Sequence, residues 1–481
     1  TTLFRSNVVT TIAEDETEKK FEAEDCTKES MMAAKEYKDY MAFFTGNTLE
    51  TSKTYVGEGT VMANPKNQSI TVLFDKAEPK HGQIDGFNLD NDEDLAAFME
   101  WKNIPMQEKI DDFRENICMI YGRDEIIMAM MLVIFSSLEF TFNAAHQKGW
   151  VEGIFIGDSG QAKSKVVERI TTYAGVGAII GQNCSVAGLI GGNEQYRDQR
   201  YITWGIMPRN NKGLIFLDEL QEFRIDVISA LRTVRSTGIA TINKMKGGQH
   251  EAKCRLICAA NPKDRKSMAE YQYGAESLTG IMSAADIRRF DLACFLAEDD
   301  VDKSVINQRA KNTTPRISRK VFQTAILWAW SRKEEQIVFT DEVTQAILDT
   351  AKSISEMFNT DVVPLCNTAD MREKIARLVC ALAAFLGKTP DNEQLIPELA
   401  DVKSIEKFLT DAYKKASVGL DQLAKDRRKE TTIDDEQINH LLSLINSEKE
   451  TDKKKYGKMM PIMKNLVDAD LRATDIMSCV G

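Results

Sequence analysis

The stretch GIFIGDSGQAKSKVVERITTYAG, residues 153–175, limits what this chain can fold into more than any other. A short apolar run ends at Gly157. A polar loop follows: Asp158, Ser159, Gly160, Gln161, Ala162. Lys163 and Ser164 then open a segment with helical periodicity. The spacing is that of a phosphate-binding loop, G-x-x-x-x-G-K-[ST], except that Ala162 stands at the second glycine. Such a loop needs a strand before it and a helix after it, because the backbone N–H groups of the helix start hold phosphate oxygens and the helix dipole favours their charge. In that frame Lys163 reaches the β- and γ-phosphates and Ser164 ligates Mg²⁺. Alanine is expected to fit at position 162 if the backbone there is already helical, where glycine's freedom is not needed.

The rest of the central region agrees with an α/β domain. Apolar runs at 213–218, 255–260 and 292–296 alternate with helical patterns and predict a parallel sheet with the 153–156 run. Two of these runs end in chemistry. LIFLDE places Asp218 and Glu219 at a strand end, suited to holding Mg²⁺ through water and to polarising an attacking water. RLICAANP ends in Asn261, whose amide suits orienting that water or sensing the γ-phosphate, although Asn-Pro alone is only a turn signal. Arg289 precedes the last run and Arg372 opens a helical segment beyond it.

Outside this region the organisation is plainer. Residues 1–53 are acidic and polar and are expected to be helical. Runs flanking Asn64-Pro65-Lys66-Asn67 predict a hairpin, and helices are expected from about 88 to 150. Residues 1–104 are thus read as a small α/β domain, 105–300 as the α/β core that carries the phosphate loop, 301–425 as a helical lid, and 426–481 as a C-terminal segment, which the family resemblance given below implies is an incomplete winged helix. The apolar run Ile126–Leu138 is too short to span a bilayer, which takes about 20 residues, so no membrane association is expected. Nine cysteines without a C-x-x-C pair, and four histidines, argue against a zinc site and suit free thiols in a reducing cytoplasm.

In this order the motifs resemble those of the AAA+ ATPases, and specifically the MCM replicative helicases. That family's loop reads G-D-P-G-x-A-K-S, and GDSGQAKS here makes Ala162 resemble a family trait. MIYGRDEI resembles I-Y-G-H-E, which implies that Tyr121 and Gly122 lie near the adenine. LDELQEF, AANP, RRFDL and TADMREKIARL resemble further family motifs, the last two carrying an arginine finger at Arg289 and the sensor-2 arginine at Arg372. The resemblance covers about 105–390. Ser159 replaces the loop proline and Arg288 replaces the serine before the finger. The family's zinc-binding N-terminal module is not recognisable, which suggests a short form from a phage or mobile element, working in the cytoplasm of a bacterial host.

The resemblance also implies two inserted hairpins. One lies within 185–213, where Tyr196, Tyr201 and Trp204 either pack the hairpin or stack on bases. The other is TGIATINKMKGGQHEAK, 237–253, with its turn expected at Gly247-Gly248 and with Lys244 and Lys246 in the DNA-contact position. Residues 231–266 hold nine Lys/Arg against two Asp/Glu in a chain of net charge −11, which suits contact with a phosphate backbone. The family reading is an ATP-driven, Mg²⁺-dependent helicase. It is a homo-oligomeric ring, six subunits by resemblance, that threads single-stranded DNA and works with loader or initiator proteins. A chelatase-type protein remodeller and an ATP-switched origin-binding initiator are the alternatives.

Overall fold

The computed structural model describes residues 9–12, 39–44, 55–64, 68, 70–79, 84, 87–182, 184–196, 199–243, 247–306 and 314–431. At the N-terminal end, β1 (Val9–Ile12), β2 (Asp39–Phe44), β3 (Tyr55–Ala63) and β4 (Ile70–Pro79) form one sheet in the order β1-β2-β4-β3. The predicted hairpin is the antiparallel β3–β4 pair. Its turn residues 65–67 lie outside the described residues. The helical expectation for 1–53 is overturned where it is described, because β1 and β2 are strands. Tyr40–Phe44 holds aromatic residues that suit a pleated surface, and the parallel partner β4 decides their conformation.

Three helical segments follow. They are α1 (Asp92–Asn103), α2 (Met106–Asp112), which runs into a wide π turn over Phe113–Cys118, and α3 (Asp124–Ile134). Asn91 caps α1, its side chain accepting from the N–H of Glu93 and Asp94. The apolar run beginning at Ile126 is indeed a buried helix, but it stops at Ile134. Instead of more helix, β5 (Glu139–Phe142) and β6 (Ala145–Lys148) form a hairpin. Its two-residue turn, Asn143-Ala144, has φ of 49° and 60°. Positive φ at both positions is the hairpin turn that Asn-Gly normally signals, and alanine hides that signal.

The central sheet contains β7 (Glu152–Gly157), β8 (Ala178–Ile180), β11 (Leu214–Leu217), β14 (Arg255–Ala260) and β15 (Leu292–Leu296). All pairs are parallel, in the order β15-β7-β14-β11-β8. Every residue of β7, β11, β14 and β15 is buried, which is why these strands read as continuous apolar runs. Edge strand β8 has only three residues, two of them half-buried, and was not legible in the sequence. Helix α4 (Lys163–Ala174) follows β7, and α5 (Ile225–Thr237) follows β11.

Both expected hairpins are present. β9 (Gly191–Tyr196) pairs with β10 (Gln199–Trp204), and β12 (Ile239–Asn243) pairs with β13 (Gly247–Glu251). The second turn is not at the glycine pair. Gly247 and Gly248 face Asn243 and Ile242 across the ladder, so both are strand residues, and positions 244–246 lie outside the described residues. A Cβ on Gly248 would lie 2.6 Å from the Ile202 side chain, so glycine there lets the two hairpins pack together.

Helices follow the sheet: α6 (Arg319–Trp330), α7 (Asp341–Phe358), α8 (Met371–Leu386), α9 (Leu399–Tyr413) and α10 (Leu420–Thr431). Within the segment read as a helical lid, the chain breaks between α9 and α10, where Gly419 has φ of 60°. A Cβ on Gly274 would lie 2.0 Å from the Ser417 carbonyl oxygen, so backbone meets backbone at this break. The winged-helix expectation for 426–481 falls almost wholly outside the described residues. Among the described residues no helix is long and apolar enough to cross a membrane. The described cysteines are free thiols, six of the seven buried.

Candidate active site

Parallel strands all deliver their C-terminal ends to one edge of the sheet, where open α/β sheets place their ligands. The tips of β7, β11 and β14 meet there around a cavity of about 510 Å³. Its lining includes Ser159 to Ser164, Asp218, Glu219 and Asn261. A Cβ on Gly157 would lie 2.2 Å from the Leu296 carbonyl oxygen, so close approach to β15 requires glycine at the loop entry. Gly160 has φ of 81° and open space around its Cα.

Ala162 departs from expectation. Its φ and ψ are 61° and 15°, the left-handed region, directly before α4. The loop turns in that region at both 160 and 162, a winding that aims successive N–H groups inward. No side chain caps α4, so its first N–H groups remain available to an anion. Alanine is therefore held at a cost of roughly 1 kcal/mol in a conformation that glycine adopts freely.

Lys163 is 7% exposed. Its Nζ donates to the carbonyls of Gly157 and Asp158 and to Oδ1 of Asn261, each at 2.8 Å. Burial pulls its pKa down to about 8, against the opposing pull of Asp158 and Asp218 and with a smaller push from Arg123. Ser164 Oγ donates to Asp218 Oδ1 at 2.7 Å. Glu219 is exposed at the cavity, with φ of 55°. Its N–H donates to Asp218 Oδ1 at 3.0 Å. The structure thus brings Lys163, Ser164, Asp218, Glu219 and Asn261 together.

Tyr121 reaches the cavity because the π turn ends at Met119, in the left-handed region, and presents residues 119–121 along the rim. Gly122, Gly157 and Asp158 do not line it. The Asp158 carboxylate accepts from the N–H of Met268 at 2.8 Å and of Glu298 at 2.9 Å, which fixes the loop base.

Two contributors were not singled out from the sequence. Gln221 lines the cavity, and its Oε1 accepts from the Asn261 N–H at 2.9 Å, linking the ends of β11 and β14. Its signal was its place three residues after Asp218. Arg123 stands where the resembled motif has histidine. It is 3% exposed, lines the cavity and donates to the Gln161 side chain and the Ala297 carbonyl. Asp300 and Glu125 lie 3.7 Å away.

Arg289 and Arg372 do not line this cavity. Arg289 donates to Ser236 Oγ at 3.1 Å and to the Ala285 carbonyl. Arg372 is exposed, with Glu373 Oε1 3.3 Å from its Nε. Trp204 packs between the hairpins, its ring 5.3 Å from that of His250. Nothing is described of the Tyr196 and Tyr201 side chains, and Lys244 and Lys246 lie outside the described residues.

Residues 101–313 match the MCM P-loop domain family. A 195-residue stretch is 24% identical to a protein of Entamoeba histolytica named DNA replication licensing factor MCM3, covering 38% of this chain and 31% of that relative. The match therefore spans about a third of the relative's length.

Proposed function

Because this chain is an MCM-like AAA+ protein, we propose that it is an ATP-driven DNA helicase working as a ring. The observation that carries this reading is the position of β11. Its end bears Asp218 and Glu219, and the hairpins β9–β10 and β12–β13 lie on either side of it in the chain. A short helix joins the first hairpin to β11, and α5 joins β11 to the second, so β11 links the carboxylates to both candidate DNA-contacting elements along the chain.

In this reading the loop and the α4 N-terminus bind the triphosphate. Lys163 exchanges its carbonyl acceptors for β- and γ-phosphate oxygens. Ser164 and Asp218 present a hydroxyl and a carboxylate, hard oxygen donors that fit Mg²⁺, and they are the residues that would hold it. The ion supplies neutralisation of phosphate charge. Glu219 orients and polarises the attacking water, and Asn261 holds that water or reads the γ-phosphate. Tyr121 borders the adenine. Arg289 and Arg372, absent from their own subunit's cavity, serve the neighbour's. Such head-to-tail supply closes a ring, six subunits by resemblance. Lys244 and Lys246 contact the phosphates of a strand in the pore.

The test is ATP-dependent unwinding of a forked duplex, with Glu219→Gln as control. Unwinding by the wild type alone is expected. A preparation that forms rings and hydrolyses ATP without unwinding would refute the motor. DNA-stimulated hydrolysis would then point to an ATP-switched initiator, and unstimulated hydrolysis to a protein remodeller.

A further inference from the structure

The segment Arg288-Arg289-Phe290-Asp291 is tied to helix α8 at two points. Arg288 donates through Nε and Nη2 to both carboxylate oxygens of Asp370, the Nη2 bond at 2.8 Å. Asp291 is buried, and its Oδ1 accepts from Arg377 Nε at 2.8 Å, while Oδ2 accepts from the Glu152 N–H at 2.7 Å. Between them Phe290 is 1% exposed, with the Arg235 guanidinium 4.1 Å from its ring centre. Arg289 is thus held between two anchors, and both anchors lead to α8. Asp370 directly precedes that helix, and Arg372 is in its first turn. The Asp370 side chain makes no helix cap, so Arg288 is its described use.

We propose that Arg288 and Asp370 form a positioning pair that locks Arg289 and Arg372 into one unit, presented together to a neighbouring subunit's nucleotide. The inference rests on the reading that both arginines act across a subunit interface. A bidentate guanidinium–carboxylate pair sets orientation as well as distance, which a serine at position 288 does not. The pair is partly exposed, with side chains 42% and 30% accessible, so it adds little to stability. Its effect belongs on turnover.

The test uses the full chain and measures ATPase kcat, KM and melting temperature for Arg288→Glu, Asp370→Arg and the double exchange. Each single variant is expected to lower kcat by about 100-fold, the cost of misplacing a reacting-site group by an ångström. KM and melting temperature stay near wild type, and the double exchange restores most of the rate. Mixing Arg288→Glu with Lys163→Ala subunits restores activity too, since one supplies an intact nucleotide site and the other an intact finger. Single variants at full kcat, a double exchange no better than the singles, or mixed rings without recovery would overturn the pair. If charge reversal lowers the melting temperature, Arg288→Gln takes its place, with the same kcat loss and the same mixed-ring recovery expected. Arg289→Ala separates the two levels: undiminished kcat there removes the underlying finger reading, whereas lost kcat beside an active Arg288→Glu removes only the positioning pair.

Discussion

The cavity at the tips of the five-stranded sheet and the two separate hairpins beside β11 in the chain are built on opposite principles. In the cavity the key polar side chains are held by specific partners. Lys163 has three acceptors at 2.8 Å, Ser164 is bonded to Asp218, and Gln221 holds the backbone of Asn261. The hairpins are held by backbone ladders and by a few apolar contacts, chiefly Ile202 against Gly248 and Trp204 against His250. The difference fits the proposed tasks. Phosphoryl transfer needs charges aimed before reaction, because reorganisation during it raises the barrier. Contact with a phosphate backbone needs reach and positive charge and is tolerant of geometry.

The comparison breaks most clearly at Lys163. Lys163→Ala is expected to lower ATPase kcat/KM by ~10²–10³-fold or more, the cost of one preorganised donor on developing charge. Steady-state kinetics on the purified protein checks this, and near-wild-type turnover would refute the assignment. A hairpin substitution should act differently. Lys244→Ala is expected to leave basal ATPase intact, weaken DNA binding irrespective of sequence, and reduce the salt slope by about 1. Titrations of single-stranded DNA at several salt concentrations measure this. Full unwinding by the variant would sink the pore assignment.

A pH series sharpens the contrast further. Phosphate binding requires protonated Lys163, whose pKa in the free protein is about 8 with Asp158, Asp218 and Arg123 around it. Below that value the lysine is already charged and ATP affinity should be flat. Above it, binding must take up a proton, and affinity should fall by up to about tenfold per pH unit. The stability consequence has the opposite sense: burial of the charged lysine costs stability below about pH 8, and that cost is relieved as pH rises toward the unfolded value of 10.5. Calorimetry in buffers of different ionisation enthalpy would detect the proton; none taken up at pH 9 would contradict the shift. The smallest effect is at Ala162. Ala162→Gly removes the strain of a left-handed alanine and should stabilise the protein by roughly 0.5–1 kcal/mol, read as a small rise in melting temperature. A decrease would show that the loop relaxes when empty.

Much of this was legible in the linear chain. Strands buried on both faces announce themselves as unbroken apolar runs, so β7, β11, β14 and β15 and the carboxylates ending β11 could be located from sequence. The phosphate loop is local chemistry, with spacing set by one strand, one turn and one helix. Helices α6, α7 and α8 carry their own periodicity. These features depend on near neighbours in the chain, which is why sequence alone determined them.

Tertiary structure decided the rest. Strand β8 exists because β11 lies beside it, and β2 because of β4. The β5–β6 turn is made by Asn143-Ala144 in a conformation that its residue types do not signal. Gly247 and Gly248 looked like a turn but lie in a strand, and Gly248 is the thin point against which the neighbouring hairpin packs. Ala162 was expected in a helical conformation, but the loop's winding holds it left-handed. Arg288 and Asp370 are 82 residues apart, and only the packing of α8 against the last strand's approach makes them a pair. Each of these depends on contacts distant in sequence, where backbone geometry and close approach, and not residue preference, set the outcome.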